Sequence, residues 1–378
     1  MKKKVLIFVG TRPEAIKLLP LYFELKKHGT WQPIIVSTGQ HREMLQSVFA
    51  FFGVKPNVDL QIMQPDQSLQ DLSAVLLHTC SLQIKRHQPV LIVVQGDTST
   101  AAMGALASYY ARVPVAHVEA GLRSYDKNAP FPEEVNRKII SSVADFHFAP
   151  TTLALKNLRS ERVEGIAVNV GNTVIDSLLT VVRKLKGKTN RYAKVYQKYF
   201  SGADKMILVT GHRRESFGLG FENICNALIT LATRFPDVVF VFPVHLNPRV
   251  REVVHSRLEG VANIHLLDPV PYDHMVYLMQ RSMLILTDSG GIQEEAPALG
   301  KPVVVMRDVT ERPEGVKAGC SVLVGTSKRQ IVKWVATLLT NKAVYRKMAR
   351  ARNPYGNGTT SRQIASLLAK HILKQKAF

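Results

Sequence analysis

Cysteine is scarce in this 378-residue chain: Cys80, Cys225 and Cys320 stand far apart and are odd in number. That excludes a disulfide scaffold and a CxxC metal or redox pair, and it fits a reducing compartment. Long apolar runs are lacking as well. After Met1-Lys-Lys-Lys4 the run Val5–Val9 is short, and Arg12, Glu14 and Lys17 follow at once. Nothing approaches the roughly 18 to 20 apolar residues of a spanning helix, so no membrane partner and a cytoplasmic location are expected. Gly218-Leu-Gly220 lacks a third glycine, so there is no dinucleotide fingerprint, and no G-x-x-x-x-G-K-[ST] loop is present. The 12 histidines show no H-E-x-x-H spacing, and neither a metal nor a cofactor is expected. Acidic residues are few, 29 against 50 Lys+Arg, leaving a formal net charge of +21. From Asn341 to Phe378 there are nine Lys/Arg and no acid, interleaved with Ile364, Leu367, Leu368, Ile372 and Leu373 at helical spacing. This reads as a solvated helix face, with no specific nucleic-acid partner.

What is present describes an ordinary globular protein, 46% hydrophobic and 21% charged, long enough for two domains. Short continuous apolar runs alternate with helix-length amphipathic segments. The first half offers strands at Val5–Val9, Pro33–Ser37, Val90–Val94, Val113–Val118 and Phe146–Ala149. The second offers Met206–Thr210, Val238–Pro243, Ile264–Leu267, Met283–Thr287, Pro302–Met306 and Ser321–Val324. Helices are expected at Ser68–His87, Glu133–Ala144, Glu222–Phe235, Arg249–Leu258 and Arg329–Leu339. Continuous rather than alternating runs suit parallel strands covered on both faces, so the fold class is α/β with two doubly wound domains. The join is expected between Gly171 and Lys205, giving domains 1–170 and 171–355. A final helix, about 356–378, is expected to pack back on the first.

Polar clusters follow the strands at their carboxyl ends, where open α/β sheets bind ligands. They are Gly10–Lys17, Thr38–His41, Gly96–Thr98 and His117–Arg123 in the first half, then Thr210–Glu215, His245–Asn247 and Asp288–Glu295. Asp288-Ser289-Gly290-Gly291 leaves a strand and opens a helix, and its small residues let backbone N–H groups approach a phosphate. Glu294 or Glu295 can accept from both hydroxyls of a ribose, or simply complement the helix dipole. Arg12, Lys17, Arg213 and Arg312 are candidate counter-charges for a diphosphate, with Pro13 able to begin a helix beside Arg12. Asp97, Glu119, Glu133 and Glu134 supply carboxylates, whose pKa values neighbouring charges can push apart into an acid and a base. His212, at another strand end, can bind phosphate or transfer a proton.

Together these motifs resemble the non-hydrolysing UDP-N-acetylglucosamine 2-epimerases. The likeness runs through GTRPEAIK, TGQHREML, GDT, HVEAGLR, PEEVNR, GHRRESFG, PVHLNP and DSGGIQEEAPALGKPV, nearly end to end. It implies two Rossmann-like domains in the glycosyltransferase-B arrangement, an active site in the interdomain cleft, and a homodimer. It also implies interconversion of UDP-N-acetylglucosamine and UDP-N-acetylmannosamine through 2-acetamidoglucal, for cell-surface polysaccharide synthesis. By the resemblance Asp97, Glu119 and Glu133 are acid/base carboxylates, while Arg12, Lys17, Arg137 and His212 handle the phosphates and the intermediate. Ser289, Gly290, Gly291 and Glu295 hold diphosphate and ribose, with Arg312 also on the substrate, and Tyr272 lies beside uracil. Gln40, His41, Arg213 and His245 match positions at which many members bind a second UDP-N-acetylglucosamine as activator. Other members carry Arg-Gln at Asp66-Gln67 and Gln at Glu43; the acidic replacements predict a weakened activator site here. A hydrolysing epimerase, a glycosyltransferase of the same architecture and a nucleotide-sugar-binding regulator are the alternatives. The set Asp97, Glu119, Glu133 and His212 argues against a catalytically dead binder.

Overall fold

The computed structural model describes residues 2–39, 42–64, 66–187, 189–200 and 205–373. The chain divides into two compact units, Met1–Ser177 with Tyr355–Phe378, and Leu178–Pro354. The first unit opens as β1 (Lys3–Val9), α1 (Arg12–Lys27), β2 (Trp31–Ser37), α2 (Arg42–Phe52), β3 (Val58–Asp59), α3 (Leu69–His87), β4 (Leu91–Gln95) and α4 (Ser99–Tyr110). It continues as β5 (Val115–Val118), α5 (Glu133–Val143), β6 (Phe146–Ala149), α6 (Thr152–Ser160), β7 (Ile166–Asn169) and α7 (Thr173–Lys186), the helix in which the division falls. The second unit holds α8 (Thr189–Phe200), β8 (Lys205–Thr210), α9 (Leu219–Arg234), β9 (Val238–Pro243), α10 (Pro248–Leu258), β10 (Ile264–Leu267) and α11 (Tyr272–Arg281). After these come β11 (Leu284–Thr287), α12 (Gly290–Glu295), β12 (Val303–Val305), α13 (Pro313–Lys317), β13 (Ser321–Leu323), α14 (Lys328–Thr340) and α15 (Lys342–Ala349). The chain then returns to the first unit as α16 (Thr360–Leu368).

Every strand read from an apolar run is present, its ends shifted by at most two residues, and β3 and β7 are added. The sheets are parallel, ordered β3-β2-β1-β4-β5-β6-β7 and β10-β9-β8-β11-β12-β13. Both orders reverse at their middle, at β1/β4 and at β8/β11, and such a switch point opens a crevice at the strands' carboxyl ends.

The packing follows from side-chain size. In the first unit Leu6, Phe8, Ile34, Val36, Ile92 and Val94 meet α4 through Ala101, Ala102 and Ala105. A Cβ on Gly104 would lie 2.9 Å from the Phe8 ring, so α4 seats closely because its inner face is small. In the second unit Ile207, Val209, Phe240 and Phe242 pack with Phe221, Leu228 and Leu231 of α9 and Val335 of α14. The C-terminal segment joins the first unit by burying Ile364, Leu368 and Ile372, with α16 against α1. Its Arg362 and Lys370 remain exposed, as a solvated basic face requires. The tail is nonetheless two separate helices in two units, broken around Pro354.

Candidate functional site

The first unit gathers its polar residues at the β1/β4 switch point. Thr11 caps α1, Arg12 and Pro13 form its first turn, and Glu14 closes a capping box. Glu14 is buried. Its Oε2 accepts from the backbone N–H of Gly10 at 3.0 Å and Thr11 at 2.7 Å and from the Thr11 hydroxyl at 2.8 Å. Its Oε1 accepts from the Thr98 hydroxyl at 2.8 Å, so one carboxyl ties the loop bearing Arg12 to the loop bearing Asp97. Burial pushes this carboxyl up to about 7, against the opposing hydrogen bonds from Thr98, Thr11 and Gly10.

One turn further along α1, Lys17 reaches Glu119 at 2.7 and 2.6 Å. Gln95, the last residue of β4, donates to the same carboxylate, and Asn172 donates to it at 3.5 Å. Glu119 holds a left-handed backbone, φ +65°, just beyond β5; strain of this kind survives where its surroundings over-determine it. Asp97 is held from α5: Arg137 Nε lies 2.9 Å and Nη2 2.6 Å from Oδ2, and the Asn136 amide donates to the Asp97 carbonyl at 2.9 Å. Beside it, buried His117 contacts the Gly96 carbonyl at 2.7 Å through Nε2, and burial drives the imidazole down to about 3, so it is neutral. Glu133 begins α5, and its Oε2 is shielded from solvent without a hydrogen-bond partner among the described residues. Glu134 is a loop clamp, accepting from the backbone N–H of Ser124 and Tyr125 and from Arg137. Burial alone would raise its carboxyl, but these donors hold it below the usual range.

The second unit builds a separate cluster at the β8/β11 switch point. Thr210 and Thr287 are paired in register, their hydroxyls 2.6 Å apart. Asp288, fully buried, accepts the backbone N–H groups of His212 and Arg213 on Oδ2 at 2.7 and 2.8 Å, while His212 Nδ1 lies 3.1 Å from Oδ1. Burial would raise this carboxyl; the His212 and backbone donors outweigh it and keep it below the usual range. The His245 ring stacks on His212, centroids 5.4 Å apart and planes at 21°. Ser289 occupies the N-cap position of the short helix carrying Gly290 and Gly291, its hydroxyl making no capping bond. A Cβ on Gly290 would lie 3.1 Å from the Arg312 guanidinium carbon, so glycine there admits the arginine. Arg312 in turn pairs with Glu294 at 2.9 Å and Glu311 at 2.6 Å. Buried Tyr272 donates its hydroxyl to Glu295.

Each predicted site residue that the structure describes falls in one of the two units. Arg12, Lys17, Asp97, Glu119, Glu133 and Arg137 share the first; His212, Arg213, His245, Tyr272, Ser289, Gly290, Gly291, Glu295 and Arg312 belong to the second unit. Gln40 and His41 lie outside the described residues. Reading the sequence for charge gives Glu14, Gln95, His117, Asn136, Asn172 and Asp288 no holding role; Gln95, His117 and Asn136 stand two residues from a motif carboxylate, Glu14 and Asp288 lie inside quoted motifs, and Asn172 carries no signal.

Two doubly wound sheets, with carboxylate–cation pairs at one switch point and a His–Asp contact beside a glycine-opened helix at the other, define an α/β enzyme of anionic nucleotide substrates. The UDP-N-acetylglucosamine 2-epimerase family model matches residues 23–369, and the chain belongs to that family. A UDP-N-acetylglucosamine 2-epimerase of Yersinia pestis is 48% identical over 97% of this chain and 99% of its own. The enzyme of the same name from Escherichia coli strain K12 is 48% identical over 97% and 98%. A crystal structure of UDP-GlcNAc 2-epimerase from Neisseria meningitidis bound to UDP-GlcNAc superposes with TM-score 0.93 at 44% identity, covering 97% of this chain and all of that one. Among the described residues no helix is long and apolar enough to cross a membrane.

Proposed function

We propose that this enzyme interconverts UDP-N-acetylglucosamine and UDP-N-acetylmannosamine by eliminating UDP and adding it back. The C2 proton of the sugar has no adjacent carbonyl to stabilise a carbanion, so simple removal is too difficult. Breaking C2–H and C1–O together forms a C1=C2 double bond; the proton goes to a carboxylate and the electron pair leaves on the UDP oxygen. Protonation of 2-acetamidoglucal on the opposite face, with UDP returning to C1, completes inversion at C2. The chemistry therefore needs a base, an acid and cations for the leaving group.

The observation that carries this reading is the first-unit cluster. Glu133 keeps a solvent-shielded oxygen with no donor among the described residues, while Asp97 and Glu119 are each tied to a cation, Arg137 and Lys17. Carboxylates in such unequal surroundings suit opposite proton tasks. Arg12 and Lys17, at the start of α1, are assigned to the departing phosphate. In the second unit Ser289, Gly290, Gly291 and Arg312 are assigned to the diphosphate, Glu295 to the ribose, Tyr272 to the uracil and His212 to phosphate or proton transfer. The product supplies cell-surface polysaccharide synthesis.

The test is positional isotope exchange. UDP-N-acetylglucosamine carrying ¹⁸O in the bridge between C1 and the β-phosphorus is incubated with the enzyme and followed by ³¹P NMR. Cleavage of C1–O frees a β-phosphate with equivalent oxygens, so label is expected in non-bridging positions of recovered substrate and product. Epimerised product with all its label still in the bridge would overturn the elimination.

A further inference from the structure

Parallel pairing of β8 with β11 sets the loops after Thr210 and Thr287 side by side, and Asp288 is the residue that joins them. Its Oδ2 is fixed by two backbone N–H groups, so the carboxylate cannot turn away, and its Oδ1 is left facing the His212 ring. We infer that Asp288 is a positioning residue that orients the His212 imidazole and fixes its tautomer, presenting Nε2 as the atom that handles a proton or phosphate. The inference rests on the assignment of His212 to the substrate.

A carboxylate is an acceptor on both oxygens, and a bare Nδ1 at 3.1 Å would repel it, so the contact favours the hydrogen on His212 Nδ1. In the neutral ring Nε2 is then the bare nitrogen, and when it takes a proton the adjacent carboxylate stabilises the imidazolium. The stacked His245 restrains the plane of the ring. Oδ1 accepts no well-aligned hydrogen bond among the described residues, the 3.1 Å approach of His212 Nδ1 included, and Asp288 is 0% exposed, so the imidazole is the charge partner it faces. An asparagine would satisfy the same two backbone N–H groups without burying a charge, whose desolvation is expensive. The charge is therefore unneeded for the turn and has its use at the imidazole.

The test compares the wild-type enzyme with Asp288→Asn and His212→Asn in the full chain. In Asp288→Asn the side-chain amide keeps an oxygen for both backbone donors but offers an N–H to Nδ1, which reverses the tautomer. In ¹⁵N NMR of histidine-labelled protein, with His212→Asn identifying the signal, wild type is expected to carry its hydrogen on Nδ1 and Asp288→Asn on Nε2. The expected loss in kcat is about 10²- to 10⁴-fold, the usual worth of an acid–base group, with KM for UDP-N-acetylglucosamine and the melting temperature little changed. An unaltered tautomer in Asp288→Asn overturns the inference, as does full kcat in a protein that His212→Asn inactivates. If His212→Asn stays active while Asp288→Asn still switches the tautomer, the orienting role stands and the assignment of His212 falls.

Discussion

Asp97 and Glu133 are assigned opposite proton tasks, and each can be replaced by its amide with little change of shape. Asp97→Asn and Glu133→Gln are each expected to lower turnover by several orders of magnitude, roughly the 10²–10⁴ of an acid–base group or beyond. UDP affinity, measured by titration calorimetry, should be retained; near-normal turnover in either variant removes that residue from the proton path. Glu14 gives a pH signature. Its folded carboxyl sits at about 7 against an ordinary 4.5, so the native state holds the proton more tightly than the unfolded chain does. That contribution is complete below pH 4.5, fades as pH rises, and is lost above pH 7. Glu14→Gln does not titrate; its amide oxygen can keep the Gly10 and Thr11 donors and its NH₂ can face the Thr98 hydroxyl. Urea midpoints at pH 4 and pH 8 should show wild type losing about 3 kcal/mol relative to this variant, at about 1.4 kcal/mol per pKa unit. A pH-independent difference would contradict the buried-carboxyl account. Sequence reading singles out Asp97, Glu119 and His212 because charge after a strand is conspicuous, and Glu133 because it opens a helix after Pro130-Phe-Pro132. It passes over Gln95, Asn136 and Asn172, since a neutral amide acquires its role only from what folding places beside it.

At the scale of elements, continuous apolar runs reveal the buried parallel strands, and the two that escape are the outermost of the first sheet. β3 is Val58-Asp59 alone, and β7 is half-buried to exposed, so neither makes a continuous buried run. The basic stretch from Lys184 to Lys198 conceals most of α8, which packs through Tyr192 and Tyr196. Both are buried, and the Tyr192 hydroxyl donates to Asp273 at 2.6 Å. Tyrosines on a lysine-rich background give a weak periodic signal. The docking of α16 is equally hidden, because it depends on Asp176 of α7, whose carboxylate accepts the Thr360 and Ser361 N–H groups at 3.3 and 2.8 Å. Asp176→Ala removes this cap and is expected to destabilise the first unit by about 1–2 kcal/mol. A melting curve indistinguishable from wild type would show that α16 is held by its apolar face alone.

For the whole molecule, the +21 charge finds partial use where Lys17 and Arg137 pair with Glu119 and Asp97, and Arg312 pairs with Glu294 and Glu311. Much of the rest is solvated, as Arg362 on α16 and Lys370 just beyond it illustrate. The family was readable from motifs because most of them stand where strands end, after β1, β2, β4, β5, β8, β9 and β11. The reaction rests on proton removal at C2, and that is the step to measure. Purified enzyme is incubated with UDP-N-acetylglucosamine in heavy water, and the anomeric and C2 proton signals are followed by NMR. The account predicts UDP-N-acetylmannosamine with deuterium at C2 and little free sugar. Epimerised product that keeps its C2 proton would contradict it, and free N-acetylmannosamine with UDP would make the enzyme a hydrolysing one.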